Sequence, residues 1–386
     1  MKILLTTIFQ YPHEGGMSTH ISMLKKGLEK SGHQVTVLSS SDINKVIQTS
    51  IKGCGYLMNR LSVGAGQLYG DLGRMNALKL ALRKIAGSYD VINTQDIFAT
   101  IAAQRIHDNV VLTLHGYYSY EATSRGALKE GSPFFKKAID YEKEAYESAG
   151  EIICVDNRLK EHVKRNTKIE PTVIKNFIDP SGFTSTNNVT NKLRVEYNLP
   201  DNKKIILVPR RLTEKNGVIY PLLALEKLIT EYPDILLVYA GTGEMMDKLK
   251  QLTFQLDLKQ QVRLLGSVPH QLMPSLYQLS NIVVVPSIHS KGVEEATSIS
   301  ALEGMLSKTP VIAGAVGGLK ELITHNENGL LFSDRNIVEL AVHIRSILND
   351  QELREKLTHN AYEHVLSNHT VEKVAEEYLF AYKKNQ

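Results

Sequence analysis

Cysteine is nearly absent. Cys54 and Cys154 are the two in 386 residues, too few for a disulfide framework or a cysteine-built zinc or iron–sulfur centre. Both stand among apolar or glycine neighbours and read as reduced thiols of a cytoplasmic protein. Long apolar runs are missing too, since no uncharged stretch approaches the ~18 residues that span a bilayer. The opening Met1-Lys2-Ile3-Leu4-Leu5 is interrupted by Thr6, Thr7 and Gln10. With no small-residue cleavage site after it, it reads as a buried strand rather than a signal peptide. The sequons at Asn188 and Asn368 then carry no information. A strong charge of either sign is also lacking: 45 Lys and Arg against 41 Asp and Glu leave +4, mild for a nucleic-acid binder. The 42% hydrophobic content excludes a disordered chain. No metal site is expected.

What is present is alternation. Aliphatic runs at 3–6, 35–38, 91–93, 110–114 and 152–155 read as strands. Between the first two, Met17, Ile21, Leu24 and Leu28 mark one face of a helix. At Asp179 the texture changes: residues 180–188 are polar and carry Pro180 and Gly182, a linker pattern. A second series follows at 205–208, 235–239, 262–265, 282–285, 311–313 and 330–332, and from Ile337 the pattern is helical. Apolar runs alternating with helices imply parallel sheets covered on both faces. The length suits two α/β, doubly wound, Rossmann-like domains with ligands beyond the strand carboxyl ends, in a cleft between them.

The candidate chemistry sits in loops that follow strands. Gly15-Gly16 opens the first helix, where a helix N-terminus favours an anion; a plain tight turn is an equal reading. Pro209-Arg210-Arg211-Leu212-Thr213-Glu214-Lys215-Asn216-Gly217 puts three cations after a buried strand, a pattern suited to a diphosphate or, more simply, an exposed loop paired to Glu214. Gly241-Thr242-Gly243 resembles a dinucleotide fingerprint, but Met246 stands where a third glycine belongs, so a turn open to a ligand is the better reading.

Glu295-Ala296-Thr297-Ser298-Ile299-Ser300-Ala301-Leu302-Glu303 is the strongest local signal. Its carboxylates, if helical throughout, stand about 12 Å apart, too far for the carboxylate pair of a glycosidase. They suit an extended ligand, with Thr297 or Ser298 capping the helix and the N–H groups of Thr297, Ser298 and Ile299 facing phosphates. His115 follows a strand and faces the expected cleft, or serves as a structural histidine. His289 precedes the carboxylate motif, and His33 belongs to a turn.

Together these residues resemble glycosyltransferase family four, of the GT-B fold. The likeness runs from residue 1 to about 365. It includes Gly15-Gly16, Ser31-Gly32-His33-Gln34-Val35, Thr113-Leu114-His115-Gly116, Asn176-Phe177-Ile178-Asp179, Arg211-Leu212, Gly241-Thr242-Gly243, Leu265-Gly266, Glu295 to Glu303 and Gly317-Gly318-Leu319-Lys320-Glu321. The resemblance implies two domains facing across a cleft, an acceptor-side domain at 1–178 and a nucleotide-sugar domain at 179–365. A C-terminal helix at 366–386 would cross back onto the first. It also implies that Arg211 and Lys215, with Arg210, hold the donor diphosphate. Glu295 would hold donor-sugar hydroxyls and Glu303 the ribose. Gly16, Gly243, Thr297, Ser298 and Ile299 would line the donor, and His115 would face the sugar near the reacting carbon.

The implied reaction is metal-independent transfer with retention, needing no cofactor, because the nucleotide-diphosphate sugar, with UDP favoured, is itself the donor substrate. The acceptor would be a carbohydrate, a lipid-linked molecule or a small molecule, in polysaccharide or glycoconjugate synthesis. The chain departs from the family in having Asn216 where a lysine is usual, Phe177 for a glycine, and Thr297-Ser298 for an aromatic–glycine pair. A GT-B sugar-nucleotide epimerase and an inactive GT-B binding protein are the alternatives.

For the acceptor, residues 117–133 read as a loop carrying Tyr117, Tyr120 and Glu121. Arg74, Lys79, Arg83 and Lys84 accompany Met75, Leu78, Leu82 and Ile85. That pattern fits a basic helix touching lipid at the inner face of the membrane or, preferentially, a solvated face over an ordinary core.

Overall fold

The aliphatic runs become strands of two all-parallel sheets. The computed structural model describes residues 1–386 apart from 14, 63, 184–186, 291–296 and 385–386, and all side chains within these limits except those of 61, 187 and 188. The chain divides into two units. The first comprises Met1–Asn176 and the helix Val371–Lys384; the second comprises Phe177–Ser290 and Thr297–Thr370.

In the first unit, β1 (Lys2–Thr6), β2 (Gln34–Leu38), β3 (Val91–Thr94), β4 (Val110–Leu114), β5 (Glu151–Cys154) and β6 (Thr172–Val173) stand in the order β2-β1-β3-β4-β5-β6. The second unit holds β7 (Lys204–Val208), β8 (Ile235–Tyr239), β9 (Val262–Leu264), β10 (Ile282–Val285), β11 (Val311–Gly314) and β12 (Leu330–Phe332), in the order β12-β11-β10-β7-β8-β9. Every residue of β4 and β8 is buried, which is why these strands read as unbroken apolar runs. β6 escapes that reading because it is two half-buried residues long.

The strand order reverses beside the first strand of each unit, between β1 and β3 and between β7 and β10. Chain leaving the two neighbouring strands turns to opposite faces there, and a crevice opens at their carboxyl ends. In the first unit Asp96 spans that point. Its Oδ2 accepts from Thr7 Oγ1 at 2.8 Å and from the Ile8 N–H at 2.9 Å, while Oδ1 caps the next helix through the Ala99 N–H at 2.8 Å.

Three expectations change. Residues 118–124 are a helix, Tyr118–Ser124, and a second helix, Pro133–Ser148, follows, so the expected loop is broken by a short helix. Ser132 caps the second helix by accepting the Phe135 N–H. The helix Ala65–Ile85 agrees with the preferred reading of its pattern: it buries Met75, Leu78 and Leu82 in the core, Arg83 and Lys84 are exposed, and Arg74 pairs with the buried Asp71. In the polar stretch at 179–188, Asp179 caps a turn at Pro180–Gly182, and a helix starts at Asn187. The C-terminal helix of the first unit begins at Val371, and the preceding helix Gln351–Asn368 belongs to the second unit. Among the described residues no helix is long and apolar enough to cross a membrane.

Gly217 ends the loop leaving β7 with φ of 62°, and a Cβ there would overlap the Pro286 carbonyl oxygen beyond β10. Gly217→Ala is expected to destabilise the protein by about 2 kcal/mol or more. A denaturation midpoint equal to that of the parent would show that the two loops do not need this approach.

Candidate active site

In the second unit the reversal point is held by a buried guanidinium. Arg210, two residues beyond β7, is 8% exposed. Its Nη1 donates to Ser298 Oγ at 2.9 Å, and its Nη2 donates to Asn216 Oδ1 at 2.8 Å and Ser287 Oγ at 3.2 Å. It thereby ties its own loop to both ends of the segment between β10 and the helix Ile299–Leu306. Asn216, at the family's lysine position, also donates Nδ2 to the Arg211 carbonyl at 2.7 Å, and the Ile288 N–H bonds the Lys215 carbonyl at 3.0 Å. Arg210 is thus committed to protein partners. The exposed Arg211 and half-buried Lys215 are the cations this loop presents.

Ser298 occupies the cap position of the helix Ile299–Leu306, but its hydroxyl accepts from Arg210 and makes no cap. Its backbone is extended, so helix begins only at Ile299 and the continuous-helix spacing of Glu295 to Glu303 does not apply. Glu295 itself lies outside the described residues. Thr297 and Ser298 are buried and Ile299 is half-buried. Glu303 is buried at 6% exposure; its Oε2 accepts from Tyr277 Oη at 2.6 Å, and His270 Nε2 lies 3.2 Å from Oε1. The bond to Glu303 raises the His270 pKa, while burial and then Glu303 push the Tyr277 hydroxyl well above its usual range. Two donors leave lone pairs on the carboxylate, which has about four acceptor sites. At Gly243 a Cβ would overlap the Leu212 carbonyl oxygen, so this glycine serves contact between the loops after β7 and β8. His289 is exposed, and Asp334 accepts its N–H at 3.3 Å.

In the first unit Gly16 opens the helix Gly16–Lys30, with nothing within 4 Å of the place of a Cβ. His115 follows β4 and is half-buried; its Nε2 bonds Gln95 Oε1 at 2.9 Å. Its ring meets His20 edge to face, centroids 4.6 Å apart. His20 is buried between Asn176 Oδ1 at 3.0 Å on Nδ1 and Tyr378 Oη at 3.1 Å on Nε2. Burial lowers both rings, His20 to about 4 and His115 well below the usual histidine range, the latter aided by His20. Tyr117 is 6% exposed and packs on His162 and under Arg158. Tyr120 packs edge-on against Phe135, and the Glu121 carboxylate lies against the bare Cα of Gly116. His33 sits in its turn with Nδ1 2.9 Å from the Met1 amine. Among the described residues no three His, Cys, Asp or Glu side chains converge as a metal-ligand set.

Sequence reasoning passed over Asn93, Gln95, His20, Ser287, His270 and Tyr277. His20 had one signal, a polar residue on the apolar helix face of Met17, Ile21 and Leu24. The others are polar residues at strand ends or on short helices, where no periodicity marks them.

Two parallel doubly wound sheets of this order define the GT-B class. Solved structures agree: sucrose-phosphate synthase from Thermosynechococcus elongatus matches with a TM-score of 0.77 at 20% identity, over 100% of this chain and 98% of that one. HepE of Anabaena, in complex with UDP-glucose, matches at 0.74 and 19% identity over 100% of both. Glycosyltransferase Family 4 matches residues 14–181 and Glycosyl transferases group 1 matches residues 189–364. An uncharacterized glycosyltransferase of Methanocaldococcus jannaschii is 30% identical over 400 residues, spanning 99% of this chain and 98% of its own. The chain belongs to this glycosyltransferase family.

Two measurements check the site as built. Arg210→Met leaves Ser287, Ser298 and Asn216 without their donor and is expected to cost about 3 kcal/mol in urea unfolding; a loss under ~0.5 kcal/mol would mean the ties do not hold the loops. For His20, the folded ring at about 4 lies below the 6.5 of a free ring, so the unfolded chain binds the proton first. Stability is expected to fall as pH drops from about 6.5 to 4, by about 3 kcal/mol in all. His20→Gln lacks this contribution, so the stability difference between the two proteins should follow that pH course; a flat difference would place a charged or exposed ring at His20.

Proposed function

We propose that this glycosyltransferase transfers a sugar from a nucleotide-diphosphate sugar, with UDP as the nucleotide, to an acceptor hydroxyl with retention at the anomeric carbon. The observation that carries the reading is the reversal point of the second unit. There Arg211 and Lys215 leave β7 on a loop that the buried Arg210 ties to the segment leading into Glu303. Two cations at the carboxyl end of a parallel strand are suited to a diphosphate, and their charge favours the leaving group as the sugar–phosphate bond breaks. Glu303 accepts ribose hydroxyls on the lone pairs that Tyr277 and His270 leave unused, and its buried, doubly bonded setting holds it in one orientation. Glu295 takes donor-sugar hydroxyls, Gly16 presents its N–H to phosphate, and His115 bonds the donor sugar.

The carbon–phosphate oxygen bond breaks as the acceptor oxygen bonds the same face of the anomeric carbon, and the acceptor proton passes to a departing phosphate oxygen. On this reading the protein contributes orientation and charge stabilisation rather than a covalent nucleophile, and the reaction draws on no metal or cofactor. The acceptor is a carbohydrate, lipid-linked or small molecule, in polysaccharide or glycoconjugate synthesis in the cytoplasm. Any contact with a lipid surface falls to the helix Lys45–Leu61. There Val46 (72% exposed), Tyr56 (64%) and Leu57 (61%) stand beside Lys45, Lys52 and Arg60, with no Asp or Glu in the helix.

Calorimetric titration with UDP, GDP and ADP tests the donor assignment. UDP is expected to bind, and Arg211→Ala to weaken it about tenfold or more, the worth of one charge-assisted contact. Equal affinity in the variant would put the diphosphate elsewhere.

A further inference from the structure

We propose that Gln95 is a positioning residue that fixes the tautomer of His115, so that His115 meets its sugar hydroxyl as a hydrogen-bond acceptor at Nδ1. The inference rests on the assignment of His115 to the donor sugar. The chain of reasoning starts at a group that has no choice, the Val111 carbonyl of β4. It accepts from Asn93 Nδ2 at 2.9 Å, and the same nitrogen donates to Thr113 Oγ1 at 2.9 Å. The Asn93 amide is therefore oriented, and its Oδ1 faces Tyr382 Oη at 3.1 Å and Gln95 Nε2 at 2.7 Å.

An amide oxygen only accepts, so Gln95 must present its NH2 group to Asn93 and its own oxygen to His115. That oxygen also only accepts, so the hydrogen on His115 lies on Nε2. Nδ1 of the neutral ring is then an acceptor, and desolvation keeps the ring neutral.

The same carbonyl orients the neighbouring ring. Thr113 Oγ1, having accepted from Asn93, donates to Tyr378 Oη at 3.4 Å. Tyr378 in turn donates to His20 Nε2 at 3.1 Å, leaving His20 Nδ1–H for Asn176 Oδ1 at 3.0 Å. With both its nitrogens engaged by uncharged partners, His20 neither hands a proton to His115 nor takes one from it. Tyr378 and Tyr382 both come from the helix Val371–Lys384, so the C-terminal helix completes the polar floor beneath His115.

The test uses the full chain with 15N-labelled histidine. Long-range 1H–15N spectra near neutral pH are expected to show the His115 ring protonated at Nε2, the signal being assigned by its loss in His115→Asn. Gln95→Leu should mix the tautomers and lower kcat about tenfold to a hundredfold, with donor KM within about twofold. Gln95→Glu sets a carboxylate against Nε2–H; the tautomer should be kept and the acid limb of the pH–rate profile should move to higher pH. Urea unfolding of each variant, with a midpoint expected close to that of the parent, controls for folding of the first unit.

A ring protonated at Nδ1 in the parent protein, or Gln95→Leu with unchanged tautomer and kcat, overturns the proposal. A fully active His115→Asn overturns instead the assignment of His115 to the donor, while the spectra still report whether Gln95 orients the ring.

Discussion

Arg210 is the interaction on which the loops of the second unit depend. A parallel sheet whose strand order reverses beside its first strand must send neighbouring loops to opposite faces, and nothing in the sheet ladder then holds those loops together. In this chain Arg210 does so, with hydrogen bonds to Asn216 on its own loop and to Ser287 and Ser298 across the reversal. A buried guanidinium is tolerable only when its donors are used, and the three oxygens supply that use. Its burial leaves Arg211 and Lys215 as the cations presented by a loop whose path is already set. For the proposed reaction, preorganisation of this kind would let charge act on a leaving diphosphate without the protein having to rearrange.

The first unit meets the same constraint with a carboxylate. Asp96 collects the Thr7 hydroxyl, the Ile8 N–H and a helix cap, which closes the loops after β1 and β3 on each other. Beside it runs a series of uncharged polar groups anchored on the Val111 carbonyl and ending on two histidines. Its members are amides, hydroxyls and imidazoles rather than ions, so burial lowers the histidine pKa values instead of demanding counter-charges. The reversal point of the second unit is thus organised by charge and the His115 side of the first by hydrogen-bond direction.

The architecture was largely legible. Strands buried on both faces appear as unbroken aliphatic runs, and parallel crossovers need helices between them, so alternation alone implied two doubly wound units. β6 failed because two half-buried residues make no run. The helix Tyr118–Ser124 failed because it is too short to show a period. The apolar stripe at Met75, Leu78 and Leu82 showed in the sequence as amphipathic, but only packing told which surface it meets.

At the site, the sequence by itself determined which residue types stand at strand ends: paired arginines and a lysine after β7, a histidine after β4, and a glutamate in the helix beyond β10. Tertiary structure decided what each is able to do. Arg210 and Arg211 are adjacent and chemically identical, yet one is buried against three oxygens and the other exposed, because a turn of the loop points them apart. Likewise His115 and His20 are separated by most of the first sheet in sequence and meet edge to face in the fold. The proton on His115 is set by a backbone carbonyl four residues before it, through amides from another strand. Residue identity is local, whereas burial, partner and proton position depend on which loops the strand order brings together.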